Sequence, residues 1–353
     1  MAAPGPEPSG GGEGQRQLGL PSAPLTPDPS ATAPSAAGVG IVCSARYRDH
    51  LTGPWHPECP ARVDAVIQGL HRAGLLSRCR ILPPRPATEA ELLRCHTPEY
   101  LQRIREDIAA GRDQLSTGDT AISPLSESTA RLAAGGVLAA VEAVMEQRVR
   151  QAFAVVRPPG HHASAARGMG FCIYNNVAIA ARHLQVVHGL EKILVVDWDV
   201  HHGNGTQDIF WRDPSVLVFG SHQSPLYPGS GSHRERGEGA GAGFTSNCPL
   251  PAGTAGPQLL AAWCEELLPL AEAFAPDFVL VSAGFDSRAG DPLGDFRLQD
   301  GDFAALTALL LTIAADHAQG RLVSALEGGY DLEGLASASA AHVACLLGDP
   351  GPR

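Results

Sequence analysis

Between residues 39 and 346, short apolar runs alternate with longer stretches in which apolar positions recur every three or four residues. The runs are rich in Val, Ile, Leu and Phe and bounded by Gly, Pro, Asp or Asn, as strands are; the longer stretches have the period of an amphipathic helix. The pattern predicts strands over 39–43, 152–157, 193–197, 215–220, 278–283 and 321–326. It predicts helices over 61–73, 126–147, 175–188, 206–211, 257–273, 301–318 and 331–346, and a long Gly-rich loop across 223–246. Strand, loop, helix repetition of this kind implies an α/β fold with a mainly parallel central sheet covered by helices on both faces. Residues 1–38 are Pro, Gly, Ala and Ser without apolar periodicity and are expected to be disordered. One domain over 39–349 and a tail of 350–353 remain, with no internal repeat.

The marked polar clusters follow directly on strands, where ligands of parallel sheets bind. The apolar run 193–196 leads straight into Asp197, Asp199, His201 and His202, with Gly203 and Gly205 close behind. Charges crowded at the end of a buried strand need a partner, and a divalent cation suits this mixture of carboxylate and imidazole. Strand alternation puts Asp197, Asp199 and His201 on one face. After strand 152–157 comes Pro-Pro-Gly-His161-His162; after 278–283, Gly-Phe-Asp286; after 321–326, Glu327-Gly-Gly-Tyr330. Taken singly, a His-His pair, a Gly-Gly-Tyr or a Gly-Phe-Asp turn is more often structural than catalytic. Their joint placement argues otherwise. Zinc could take Asp199, His201 and Asp286 and keep a position open for water or substrate. A nearby histidine would accept the water's proton and Tyr330 would donate to a developing oxyanion, which together make a kit for metal-assisted amide hydrolysis.

Composition narrows the setting. A net charge of −11 argues against direct nucleic-acid binding and is compatible with a cationic substrate such as a lysine-rich tail or a polyamine. The eight cysteines show no metal-ligand spacing and read as reduced thiols, pointing to a cytoplasmic protein, or a nuclear one in a eukaryote. No signal peptide is evident, and no apolar run approaches the length of a membrane span, so no membrane partner is expected.

The motifs Arg157-Pro-Pro-Gly-His161-His162, Gly170-Phe171-Cys-Ile-Tyr-Asn-Asn, Asp197-Trp-Asp199-Val-His201-His202-Gly-Asn204-Gly, Ala-Gly-Phe-Asp286 and Glu-Gly-Gly-Tyr330 occur in order across roughly residues 40–349 and resemble the zinc-dependent histone deacetylase family. They are similar in particular to its class II branch and to bacterial deacetylase-like amidohydrolases. The resemblance implies an arginase/deacetylase-like fold and one catalytic Zn2+ held by Asp199, His201 and Asp286. It implies His162 as general base and later proton donor, His161 as its electrostatic partner, and Asp197 bonded to His161. Asn204, where class I members carry Asp, would orient His162. Tyr330 would complete the oxyanion site; members with His there are poor deacetylases.

The resemblance further implies tunnel walls of Phe171 and Tyr227, with Gly170 accepting from a substrate amide and Gly329 also at the substrate. Leu293 stands where acetylpolyamine-specific members carry a gatekeeper Glu, which favours acyl-lysine of a protein or peptide over an acetylpolyamine; the alternative is an amidohydrolase of acetylpolyamines or other small acyl amides. His56 and Glu58 would belong to the entrance loop, Asp119 to the rim. Structural K+ or Na+ is expected at two places. The inner would use Asp197, Asp199, His201 and Ser221, with Gly220 where many members offer a serine hydroxyl; the outer would use backbone oxygens of Phe210, Asp213, Val216 and Phe244. A homo-oligomer is compatible with the family. An arginase-like ureohydrolase would need a two-metal carboxylate set that this pattern lacks, and a non-catalytic binding module would need a broken site.

Overall fold

The computed structural model describes Met1 and residues 38–349. The expected disordered stretch 1–38, apart from its two end residues, and the tail 350–353 therefore lie outside the described residues. Eight strands form one sheet: β1 (Val39–Val42), β2 (Arg80–Leu82), β3 (Gln151–Ala154), β4 (Ile193–Asp197), β5 (Val216–Gln223), β6 (Thr245–Leu250), β7 (Phe278–Ala283) and β8 (Leu322–Leu326). Their order is β2-β1-β3-β8-β7-β4-β5-β6, and every pairing is parallel. Every residue of β3, β4, β7 and β8 is buried, which is why these strands read as unbroken apolar runs instead of alternating ones.

Helices α1 (Ala61–Arg72), α7 (Gly256–Phe274), α8 (Asp300–His317) and α9 (Leu332–Leu346) pack in one group, and α3 (Pro98–Ala109), α4 (Ser126–Met145), α5 (Asn176–His188) and α6 (Asn204–Phe210) in another. The expected sheet flanked by helices is thus the observed architecture. The short β2, a one-turn α2 (Glu89–Leu92), α3 and β6 were not expected. Helix α3 did carry a start signal, since Thr97 accepts from the Tyr100 amide and Pro98 occupies the first turn. Strand β6 reads Thr-Ser-Asn-Cys-Pro-Leu, too polar to register as a strand, and it fills the end of the supposed Gly-rich loop as an edge strand beside β5. Strand β5 runs three residues beyond its expected end because Ser221, His222 and Gln223 are buried although polar.

Helix α4 is long and apolar enough to cross a membrane by length and composition, but most of it is buried inside the fold. Its Ala- and Gly-rich sequence serves close packing against α5, β3 and β1.

Candidate active site

The sheet order makes β3, β8, β7 and β4 consecutive neighbours. The loops leaving these strands carry His161 and His162, Tyr330, Asp286, and Asp199 with His201, so four clusters distant in sequence meet at one carboxyl edge.

Ligand atoms of Asp199, His201 and Asp286 lie within 4.8 Å of one another. His201 Nδ1 is 3.1 Å from Asp199 Oδ1 and 3.2 Å from Asp286 Oδ2. Atoms bound about 2.0–2.1 Å from a tetrahedral zinc stand about 3.3 Å apart, so the spacing fits such an ion. The remaining carboxylate oxygens are fixed by backbone: Asp199 Oδ2 accepts from Gly328 N at 2.8 Å and Asp286 Oδ1 from Val200 N at 2.9 Å. These outer bonds aim the carboxylates, as supporting contacts around metal ligands do. The electrostatics also suit a cation. Burial and the Asp199 charge push Asp286 up to about 7. Burial opposes a charged His201, but its bonds to the two carboxylates prevail and raise it to about 10. A divalent ion held there would neutralise the two carboxylates.

Two glycines allow this convergence. A Cβ on Gly284 would collide with the Asp199 carboxylate, and one on Gly328 with the carboxylates of both Asp286 and Asp199. Neither requirement is visible without the packing.

The histidine pair is differentiated by its partners. His161 Nδ1 is 2.9 Å from Asp197 Oδ2; burial disfavours its charge, yet Asp197 and Asp199 raise it to about 10. His162 Nδ1 is 2.8 Å from Asn204 Oδ1. An amide oxygen can only accept, so the proton sits on Nδ1 and the Nε2 lone pair stays free. Burial and the neighbouring charges of His161 and His201 hold His162 well below the usual imidazole value, hence neutral. Buried Glu327 holds the loop from below, accepting from Gly160 N at 2.6 Å, His161 N at 3.1 Å and Ser282 Oγ at 3.1 Å. From the side, Asn175 donates to Ala163 O and Asn176 to Pro158 O.

A cavity of about 260 Å³ opens above the cluster, lined by Asp119, His162, Gly170, Phe171, His201, Leu226, Tyr227, Leu293 and Tyr330. The Tyr227 ring stands edge-on to His162 at 5.2 Å and the Phe171 ring edge-on to Tyr330 at 5.8 Å. Phe171 adopts φ 67°, rare for an aromatic residue, immediately after Gly170 at φ 55°. Asp119 Oδ1 braces this turn by accepting from Gly170 N at 2.8 Å. Burial raises the Tyr330 phenol well above its ordinary value, so it remains a donor.

The other expected residues fall as follows. His56 packs edge-on against the cavity-lining Phe171 at 4.6 Å. Glu58 does not line the entrance; it is fully buried between two arginines, 2.5 Å from Arg157 Nε and 3.2 Å from Arg62 Nη1. A carboxylate pointing into the body of the protein survives only when paired in this way. Gly329 is not a lining residue: its carbonyl accepts from Arg62 Nε at 2.7 Å, and the Arg62 guanidinium lies 4.9 Å over the Tyr330 ring. His202 has both ring nitrogens engaged, by Ser230 Oγ at 2.8 Å and Gln207 Oε1 at 3.1 Å, which leaves none for a metal. Ser221 accepts from Trp263 Nε1 at 3.0 Å and follows Gly220, which is in register with Asp197. Phe210 O accepts from Asp213 N at 3.0 Å, and Phe244 O from Val218 N at 2.9 Å near the Val216 end of β5.

Comparison with known proteins agrees with this geometry. The family model described as the histone deacetylase domain matches residues 56–346. The chain is 45% identical over 312 residues to human "Polyamine deacetylase HDAC10", covering 84% of this chain and 46% of that protein. It therefore spans about half the length of that relative. It is 39% identical over 297 residues to a "Probable deacetylase" of Archaeoglobus fulgidus, covering 84% of this chain and 82% of that one. Among solved structures, the HDA15 HD domain superposes with a TM-score of 0.83 at 36% identity, covering 89% of each chain. Motifs, sheet order, donor cluster and matched length agree, and the chain belongs to the histone deacetylase domain family.

Proposed function

We propose that this chain hydrolyses small acyl amides of lysine in proteins or peptides, with zinc held by Asp199, His201 and Asp286. The observation that carries the reading is the convergence of this triad, a neutral His162 and a protonated Tyr330 at the base of one narrow cavity. A bound zinc ion would supply Lewis acidity, acidifying water and polarising the acyl oxygen. His162 Nε2 takes the attacking water's proton and later passes it to the leaving amine. Asn204 keeps Nδ1 protonated throughout, and His161, charged and paired with Asp197, stabilises negative charge formed nearby. The Tyr330 hydroxyl donates to the developing oxyanion. Phe171 and Tyr227 enclose the aliphatic chain, and the Gly170 carbonyl accepts from the substrate amide. K+ or Na+ at the two oxygen-rich positions would stiffen the loops around β4 and β5.

Leu293 in the cavity wall favours an uncharged substrate stem, hence acyl-lysine. The human relative's name favours a second reading, an acetylated polyamine, to which Asp119 offers a carboxylate at the rim. Acetate release from an acetyl-lysine peptide and from an acetylpolyamine by the purified protein separates them. The peptide is expected to be cleaved with the higher kcat/KM; a clear preference for the polyamine overturns the first reading. Leu293→Glu should shift the ratio toward the polyamine by about fivefold, the effect of one partly solvated ion pair. An unchanged ratio would show that this position does not select substrate.

A further inference from the structure

Asp291 has no place in the chemistry above, yet it bonds the backbones of two residues that line the cavity. It sits in the Gly-Asp-Pro-Leu loop beyond β7 and is almost completely buried. Its Oδ1 accepts from Leu293 N at 3.0 Å. Its Oδ2 accepts from Tyr330 N at 2.6 Å and Asp331 N at 3.1 Å. Leu293 and Tyr330 both line the cavity. One carboxylate therefore ties the two backbones together, while Arg62 holds the Gly329 carbonyl from the other side.

We propose that Asp291 is a positioning residue that holds Tyr330 and Leu293 as a single unit, so that it governs both turnover and substrate selection. The inference rests on the hydrolytic reading of the site. A carboxylate is the group the geometry requires, because both oxygens must accept and neither may donate. Asp291→Asn keeps the size but turns an NH2 toward a backbone N–H on one side. That leaves a donor unsatisfied and displaces whichever segment it faces. A displacement of about 1 Å at a reacting group can slow a reaction by up to about a hundredfold.

The test is a double-mutant cycle on the full chain, read by steady-state kinetics with an acetyl-lysine peptide and an acetylpolyamine. In the wild-type background Asp291→Asn is expected to lower kcat by about ten- to a hundredfold, change KM much less and alter the peptide-to-polyamine ratio. In a Tyr330→Phe background the same change is expected to cost less than about twofold, since the donor it positions is already gone. Bound metal, measured by elemental analysis, should be unchanged, because Asp291 bonds none of Asp199, His201 and Asp286. An equal loss in both backgrounds, or no loss in the wild type, overturns the proposal. Failure of the wild-type chain to hydrolyse either substrate overturns instead the reading on which it rests. Should Asp291→Asn not fold, Asp291→Ser, which keeps one acceptor, runs the same cycle with the same expected non-additivity.

Discussion

Tyr330→Phe is expected to lower kcat on an acetyl-lysine peptide by about two to three orders of magnitude, about 2.7–4 kcal/mol, with little change in KM. The substitution removes only the hydroxyl. The ring would still pack edge-on to Phe171 and beneath the Arg62 guanidinium, so the cavity wall stays in place. What disappears is a donor that burial keeps protonated. Such a donor acts on an oxygen whose charge develops in the transition state, which is why the loss appears in kcat and hardly in substrate affinity. Steady-state kinetics on the purified variant check this; turnover within about twofold of wild type would remove Tyr330 from the oxyanion site.

Much of the fold was legible because the buried central strands leave no alternation to confuse and are separated by amphipathic helices. What escaped was polar or short. Strand β6 owes its place to pairing with β5, and α3 to capping by Thr97, neither of which shows as an apolar run.

At the site, residues with donor or acceptor chemistry could be read directly from the motifs, and the structure brings His161, His162, Asp199, His201, Asp286 and Tyr330 to one strand edge. Residues whose contribution is space or orientation could not. Gly284 and Gly328 matter for the Cβ they lack, Glu58 for a burial that only its arginine partners make tolerable, and Asp291 for backbone amides on two separate loops. His202 shows the converse: it adjoins the ligands in sequence yet reads as structural, and its ring is engaged by Ser230 and Gln207.

The second large effect concerns the metal. Two buried carboxylates and one imidazole face each other with their outer oxygens fixed by Gly328 and Val200, an arrangement that a divalent cation neutralises. Removing that cation should leave the three groups hydrogen-bonded among themselves and reduce hydrolysis to background. The decisive measurement is elemental analysis of the purified chain beside its hydrolysis of an acetyl-lysine peptide, before chelation, after it and after adding back zinc. The account predicts about one zinc per chain at the start and activity that is lost and regained in step with it. Hydrolysis that persists in metal-free protein would contradict it.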